Sequence, residues 1–344
     1  MFKSDNMCPV SQEIMDAIVA ANQDAHASYG ADAYSLALKR KFSEIFEKEV
    51  SFVLTSTGTA SNALALSTLV SPFGSIVCHP EAHINTDEGG APALFTGGAS
   101  LLLVEGENGK IDPDCLAKQL HKMKALKPRR QKPECVSLTQ ATECGTVYSL
   151  AEIKRITDIA KQHELAVHMD GARFANSLAH LKCTPAEATW KSGVDVMSFG
   201  ATKNGCLNAE AVVFFNEDYR QNIDYRQKRA GQSMSKTRFF AAQLLAYFEN
   251  DLWLHNAARA NAMAQTLAAV FRQHDIEIVY PVQANEVFVN MTQTLANALA
   301  DRGCDFYPWL IPEDNVYRFV TSCFTTRDEI TQFEAALSQG KVVI

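Results

Sequence analysis

Short apolar runs alternate with helix-like segments between about residues 50 and 215. Helical periodicity is clearest at Ser61–Leu69 and Leu150–His163, where apolar residues recur every three or four positions. The alternation predicts an α/β fold with a mainly parallel sheet covered on both faces. The apolar runs are four to six residues long and read as buried strands: Ser51–Leu54, Ser75–Cys78, Leu101–Glu105, Cys135–Leu138, Leu165–Met169, Val194–Phe199 and Ala211–Phe215.

The pattern changes after about residue 230. One long helical pattern covers Ser235–Val270, and it is followed by a mixture of strand-like and helical segments that predicts a small α+β unit. We therefore predict an N-terminal arm over residues 1–25, a large domain over 26–235 and a small C-terminal domain over 236–344. The later segments are strands at Ile276–Tyr280, Glu286–Asn290 and Val316–Thr321, and helices at Gln293–Arg302 and from about Asp328.

Composition narrows the class of protein without giving a reaction. The chain has 344 residues, 47% of them hydrophobic and 21% charged, which is ordinary globular usage. A net charge of −7 argues against nucleic acid or an anionic membrane as partner. The nine cysteines are scattered singly with no CxxC pair, and the start lacks the apolar core of a signal peptide. These features predict a cytoplasmic protein.

Two motifs follow directly after predicted buried strands. In VDVMSFGATKNG, Lys203 lies just beyond a strand among small residues, where a lysine can form a Schiff base. In LAVHMDGAR, Asp170 lies at the carboxyl end of a strand, where ligands of parallel sheets collect. Asp170 could hold the N–H of a pyridinium ring, or it could equally cap a helix while Arg173 forms an ion pair.

Two further motifs have weaker signals when taken alone. In TSTGTASNALAL, a helix begins near Gly58 and Thr59 after a strand, and free N–H groups there would suit a phosphate. In HPEAHINTDEGGAP, His79 and His83 have the spacing of a metal pair, but no third ligand is evident. We therefore predict no metal site, and a single imidazole there suits stacking on a flat ring.

The four motifs occur in the order phosphate site, stacking histidine, ring-nitrogen aspartate and Schiff-base lysine. This order predicts a pyridoxal 5'-phosphate enzyme of the aspartate aminotransferase-like fold type I. The chain resembles the low-specificity L-threonine aldolase family of the beta-eliminating lyase superfamily, most of all its phenylserine aldolase branch. The resemblance lies in the segments FGATKNG, HMDGARFAN, TQATECGTVYSL and HPEAHINTDEGGAP.

The resemblance implies a role for each matched residue. Lys203 would bind the cofactor covalently, Asp170 would contact its ring nitrogen and His83 would stack on the ring. Gly58 and Thr59 would hold the phosphate. Homo-oligomers, usually tetramers with active sites between subunits, are also implied. The substrate carboxylate would be bound by Ser4, Arg173 and Arg318. Arg173 would also lie beside the cofactor. Guanidinium groups suit this task because they bind a carboxylate bidentately.

The chain departs from the family in two places. The family's E-N-T-H stretch, whose histidine approaches the substrate hydroxyl, corresponds here to Thr139–Thr142, followed by Glu143. The family's G-G-G-M-R segment is altered too, and Ser235 replaces its arginine. Candidate substitutes for binding a neighbouring subunit's phosphate are Arg229, Lys236 and Arg238.

The function implied is a carbon–carbon lyase that cleaves L-β-hydroxy-α-amino acids to glycine and an aldehyde. The base for the β-hydroxyl stays open between His83, a phosphate-bound water and Glu143, in that order. Two alternatives remain: another pyridoxal phosphate lyase that catalyses β-elimination, and a non-catalytic binding protein that keeps the motifs as remnants.

Overall fold

The computed structural model describes residues 2–309 and 312–341. Its large sheet has seven strands in the order β1-β7-β6-β5-β4-β2-β3, of which β7 runs antiparallel to both neighbours while the strands from β6 to β3 are parallel. The α/β fold class and the mainly parallel sheet are confirmed. The strands are β1 (Ser51–Thr55), β2 (Gly74–Cys78), β3 (Ser100–Leu103), β4 (Lys132–Thr139), β5 (Ala166–Gly171), β6 (Val196–Gly200) and β7 (Glu210–Phe214).

Both faces of this sheet are buried because alternate residues of each strand enter different apolar clusters. In β7, Ala211 and Val213 pack with one cluster, whereas Val212 and Phe214 pack with helix α3 (Gly58–Leu69) on the opposite face. The helices of this part of the chain are α1 (Gln12–Ala20), α2 (Ala33–Ile45), α3 (Gly58–Leu69), α4 (His83–Thr86), α5 (Ala91–Thr96), α6 (Pro113–Ala125), α7 (Leu150–Gln162), α8 (Phe174–Leu181), α9 (Pro185–Ala188) and α10 (Ile223–Arg229).

The long helical pattern after residue 235 is interrupted in the structure. It forms α11 (Arg238–Phe248) and α12 (Leu252–Gln273), separated by a short 3-10 turn. Asn250 and Asp251 adopt left-handed backbone angles there, with φ of 50° and 55°. The prediction of one continuous helix is therefore wrong, because these two residue types tolerate a conformation that ends a helix.

A second, antiparallel sheet follows, with the strand order β10-β11-β9-β8. The start of the chain is tied to this sheet: Phe2 is fully buried in its core, and the Val320 backbone N–H donates to the Phe2 carbonyl at 2.8 Å. The helix α12 packs in the cores of both sheets. The division into domains near residue 235 stays a prediction. The elements are β8 (Glu277–Ile278), β9 (Glu286–Asn290), α13 (Gln293–Ala300), β10 (Tyr307–Pro308), β11 (Val316–Val320) and α14 (Arg327–Lys341).

Gly200 ends β6 where two loops of the carboxyl edge touch. A Cβ at this position would lie 2.7 Å from both the Cα and the carbonyl oxygen of Ala172. Backbone atoms cannot move aside as a flexible side chain can, so only glycine lets the loops that follow β5 and β6 meet.

We expect Gly200→Ala to lower the free energy of unfolding by about 1–3 kcal/mol, because the new methyl group meets backbone. Chemical denaturation monitored by circular dichroism measures the change. Gly58→Ala is the matched control: its Cβ would meet no atom within 4 Å, and we expect a change of less than about 1 kcal/mol. Equal stability of Gly200→Ala and the wild type would contradict the packing argument.

Candidate active site

The strands β5 and β6 place two reactive side chains at the same edge of the large sheet. Asp170 lies at the end of β5 and is 4% exposed. Its carboxylate accepts hydrogen bonds from Asn62 Nδ2 at 2.7 Å and from the Ala172 backbone N–H at 3.0 Å. Lys203 lies in a short 3-10 helix, Thr202–Asn204, just after β6. The sequence-predicted pair is thus adjacent in the fold.

The turn that carries Lys203 is held by its neighbour. Asn204 is buried, and its amide donates to the Tyr247 hydroxyl at 2.7 Å and to the Trp253 carbonyl at 2.8 Å. These bonds anchor the turn to α11 and to the start of α12. Because the turn is fixed, the backbone of Lys203 has a set position, which limits where its flexible side chain can carry the amine.

A polar chain connects Asp170 to His83. Asn62 also donates to Glu88 Oε1 at 2.7 Å, and His83 Nδ1 lies 2.9 Å from the same oxygen. The Glu88 carboxylate raises the pKa of His83, and the charge of Asp170 adds to the effect. Sequence reasoning missed Asn62 and Glu88, although both lie inside quoted motifs. The sequence did contain a signal for Glu88, which is an acidic residue five positions after His83, the candidate ring-stacking histidine.

His79 has a different role from His83. Its Nδ1 accepts from the Glu81 backbone N–H at 3.1 Å, and its Nε2 lies 3.1 Å from the Gly106 carbonyl oxygen. Both ring nitrogens are therefore used by the backbone. In the described part of the chain, no three His, Cys, Asp or Glu side chains converge as metal ligands would.

Glu143 lies beside His83. Its Oε1 accepts from the His83 backbone N–H at 2.7 Å. Burial, and then the nearby charge of Asp170, raises the pKa of Glu143 to about 7. A carboxyl group that titrates near neutrality can accept a proton in the working pH range and release it again.

The start of α3 is the place where the sequence predicts an anion site. The Thr57 side chain caps the helix by accepting from the Ala60 N–H at 3.1 Å. The N–H groups of Gly58 and Thr59 belong to the first turn, which has no intrahelical acceptors. Gln232, from the segment that departs from the family, accepts from the Ser56 N–H at 2.9 Å and so closes one side of this loop.

The substitutes proposed for the missing family arginine have different surroundings. Arg229 and Lys236 are exposed, whereas Arg238 Nε donates to the Ala21 carbonyl at 3.0 Å. Their role toward a neighbouring subunit stays a prediction.

The predicted carboxylate-binding residues come from three distant segments and meet at two buried acids. Asp5 binds Arg173 bidentately, with distances of 2.8 and 3.1 Å to Nε and Nη2. Glu286 Oε1 lies 3.4 Å from Arg173 Nη2 and 3.7 Å from Arg318 Nη1. Ser4 directly precedes Asp5, and its Oγ accepts from the Asn6 N–H at 3.2 Å. Sequence reasoning missed both Asp5 and Glu286.

These side chains share one electrostatic environment around Lys203. Burial raises the pKa of Glu210 to about 7 and raises that of Glu286 as well, and the positive charge of Lys203 opposes this shift in both groups. A cavity of about 180 Å³ is bordered by Lys203, Asp5 and Cys206, among other residues. The site therefore combines a nucleophilic amine, a hydrogen-bonded carboxylate and two guanidinium groups.

Comparison with known proteins gives the family. The beta-eliminating lyase family model matches residues 2–294. Low specificity L-threonine aldolases from a Pseudomonas species and from Pseudomonas aeruginosa are 40% and 41% identical to this chain over 310 residues, covering 90% of it and 89% of each relative. This chain belongs to the low-specificity L-threonine aldolase family of beta-eliminating lyases.

The structural comparison agrees with the sequence relatives. The solved structure of Leishmania major threonine aldolase superposes with a TM-score of 0.92, covers 98% of both chains and is 26% identical. The predicted family, the fold type I class, the carbon–carbon lyase class and the pyridoxal phosphate cofactor are confirmed. The phenylserine branch stays a prediction. No helix within the described ranges is long and apolar enough to cross a membrane.

The residues at the sheet edge fit pyridoxal phosphate by their chemistry. Asp170 offers an acceptor for a ring N–H, Lys203 offers an amine, and the His83 side chain is 32% exposed beside them. The start of α3 offers backbone donors, and the position of a Cβ at Gly58 is open space. Each functional group of the cofactor therefore has a complementary group in this chain.

We expect Asn62→Ala to weaken pyridoxal phosphate binding by roughly tenfold to a hundredfold, because Asp170 and Glu88 both lose a charge-assisted hydrogen bond. Titration of the cofactor-free protein, followed by its fluorescence, measures the affinity. Asn261→Ala is the control: it removes an amide that donates to the Asn176 carbonyl at 2.9 Å, and its affinity should match the wild type. Unchanged affinity in Asn62→Ala would contradict the role given to the polar chain.

Proposed function

We propose that this enzyme cleaves L-β-hydroxy-α-amino acids, with threonine and phenylserine as substrates, to glycine and an aldehyde in a reversible retro-aldol reaction. The observation that carries the proposal is the position of Asp170 and Lys203 on neighbouring strand ends, near two arginines whose side chains are 11% and 19% exposed. The identity to threonine aldolases supports the substrate class.

Each residue has a defined task in this proposal. Pyridoxal phosphate, when bound, supplies the electron sink for the pair left as the Cα–Cβ bond breaks. Lys203 would bind the cofactor through its amine, and Asp170 would hold the proton on its ring nitrogen. His83 would lie against the ring. The backbone N–H groups at the start of α3, those of Gly58 and Thr59, bind the phosphate.

Substrate orientation is the task of the carboxylate site. Arg173 and Arg318 bind the substrate carboxylate, and Ser4 completes the site from the N-terminal segment. Because Asp5 already takes Nε and Nη2 of Arg173, the substrate would use the remaining Nη1 of this residue and the guanidinium of Arg318. Fixing the carboxylate fixes the direction of the Cα–Cβ bond, which is the bond to be broken.

Glu143 is our choice as the base that takes the β-hydroxyl proton. His83, the first candidate from the sequence, is bound to Glu88, which raises its pKa and favours the protonated imidazolium. Glu143 has a pKa of about 7 and is therefore deprotonated in a large fraction of molecules at neutral pH. The protonation states of the two groups thus favour Glu143 over His83 as the base.

We expect Glu143→Gln to lower kcat for L-threonine by about 10²–10⁴-fold, since an amide cannot accept the proton. The wild-type rate should rise with pH through about 7, as Glu143 loses its proton. In the variant, this rise of the rate with pH should be absent. Steady-state rates across the pH range measure both effects. The control is Glu81→Gln, which alters a carboxylate that accepts a hydrogen bond from the Cys144 thiol; its rate should still rise with pH through about 7. A Glu143→Gln enzyme whose rate rises with pH as in the wild type would exclude this base.

A β-elimination reaction is the second candidate, and the match to the beta-eliminating lyase family model favours keeping it. It would use the same lysine and aspartate but would release ammonia and a keto acid. Product analysis with L-threonine and phenylserine separates the two: retro-aldol cleavage gives glycine with acetaldehyde or benzaldehyde. Ammonia and a keto acid as the main products would overturn the aldolase proposal.

We expect Lys203→Ala to lose the visible absorbance of the cofactor-loaded enzyme and its turnover of L-threonine. Reduction of the wild type with borohydride should fix the cofactor on Lys203, as a mass increase of the peptide that contains this residue. A wild-type protein that stays colourless with added pyridoxal phosphate would favour the non-catalytic alternative.

The assembly and the cellular location are part of the same proposal. We propose a homotetramer with active sites between subunits, located in the cytoplasm. Tyr225 and Tyr29 are 80% and 60% exposed, and Tyr29 borders a cavity of about 340 Å³ that includes Met234. Aromatic side chains this exposed support a protein–protein contact. The nine free cysteines support a reducing compartment.

A further inference from the structure

Glu286 is a buried carboxylate that the reaction outlined above does not use. Its side chain is 0% exposed, and Oε1 lies 3.4 Å from Arg173 Nη2 and 3.7 Å from Arg318 Nη1. Both carboxylate oxygens, and Arg318 Nε, have no hydrogen-bond partner among the described residues. Buried polar atoms without partners are costly, so this group of atoms is suited to receive a further polar ligand.

Once Lys203 is bound to the cofactor, the arginines and acids of this cluster balance each other's charge before a substrate enters. Arg173 and Arg318 carry two positive charges, and Asp5 and Glu286 can carry two negative ones. Asp5 is bound bidentately by Arg173 and also accepts from Asn285 Nδ2 at 3.1 Å. These bonds favour ionised Asp5, and its pKa is lowered. Glu286 has only the longer ion-pair contacts, so it is the acid that can take up a proton at low cost.

An incoming substrate carboxylate would add a third negative charge to this cluster. Like charges a few ångström apart in a buried site cannot all stay ionised. We propose that Glu286 takes up one proton when a substrate carboxylate binds between Arg173 and Arg318, and that neutral Glu286 then donates a hydrogen bond to that carboxylate. This inference rests on the proposed function, because it needs a ligand with a carboxylate at these arginines.

The sign of the pH effect follows from the groups that face Glu286. Arg173 lies after β5, Arg318 on β11, Asp5 in the N-terminal segment and Lys203 after β6, and these are the charged groups that act on Glu286. Burial raises the pKa of Glu286, against the lowering effect of Arg173 and Arg318. A ligand that binds the protonated form binds fully below this pKa and more weakly as pH rises above it.

The test uses the cofactor-loaded enzyme and two ligands. Isothermal titration calorimetry with glycine, repeated in buffers of different ionisation enthalpy, counts the protons taken up on binding. The variant Glu286→Gln should take up one proton fewer than the wild type at the upper end of the range from about pH 6 to 9. The ratio of wild-type to variant Kd should rise by up to about tenfold per pH unit above the Glu286 pKa. Asp195→Asn, at the opposite end of the sheet where it accepts from the Val167 N–H at 2.8 Å, should match the wild type.

A second ligand keeps the proposal falsifiable if Glu286→Gln does not fold. 3-Hydroxybutanoate has the carboxylate and hydroxyl of threonine but no amine, so no proton released by a ligand amine enters the count. We expect the number of protons taken up per ligand bound to rise with pH toward one. Equal proton counts in the wild type and Glu286→Gln, or no uptake with 3-hydroxybutanoate at any pH in the range, would overturn the role of Glu286. If neither ligand binds at all, the carboxylate site of the proposed function fails instead.

Discussion

The hydrogen bond from Asn62 to Asp170 is the interaction on which the rest of the site depends. Asp170 lies on β5, in the interior of the large sheet, and an acceptor buried there must be satisfied. Asn62 and the Ala172 backbone supply the donors. Because Asn62 also binds Glu88, and Glu88 binds His83, one amide connects the two groups that we assign to the cofactor ring, Asp170 and His83.

The second constraint is the burial of opposite charges at the edge of the small sheet. Removing the charged groups of Arg173 and Arg318 from water would be costly without partners. The carboxylates of Asp5 and Glu286 balance their positive charges. Asp5 reaches Arg173 because Phe2 is anchored in the core of the small sheet. The first residues of the chain are thus part of the candidate site, and packing in the core of the small sheet helps to position Asp5 against Arg173.

Much of the fold followed from local patterns. The strands of the large sheet were found because each is a short apolar run, and Lys203 and Asp170 were found because they follow such runs. The break between α11 and α12 was missed, since the residues around Asn250 keep a helical apolar pattern. Asn62, Asp5 and Glu286 were missed for a different reason: their partners are distant in sequence. Asn62 and Asp170 are 108 positions apart, and Asp5 and Arg173 are 168 apart, so only the folded chain brings them together.

The protonation of the cofactor ring nitrogen tests the central claim most directly. The measurement is the ¹⁵N chemical shift of pyridoxal phosphate labelled at the ring nitrogen and bound to the wild-type protein. Our account predicts the shift of a protonated nitrogen, because the buried carboxylate of Asp170 faces it, and loss of that signal in Asp170→Asn. A neutral ring nitrogen in the wild type across the working pH range would contradict the account.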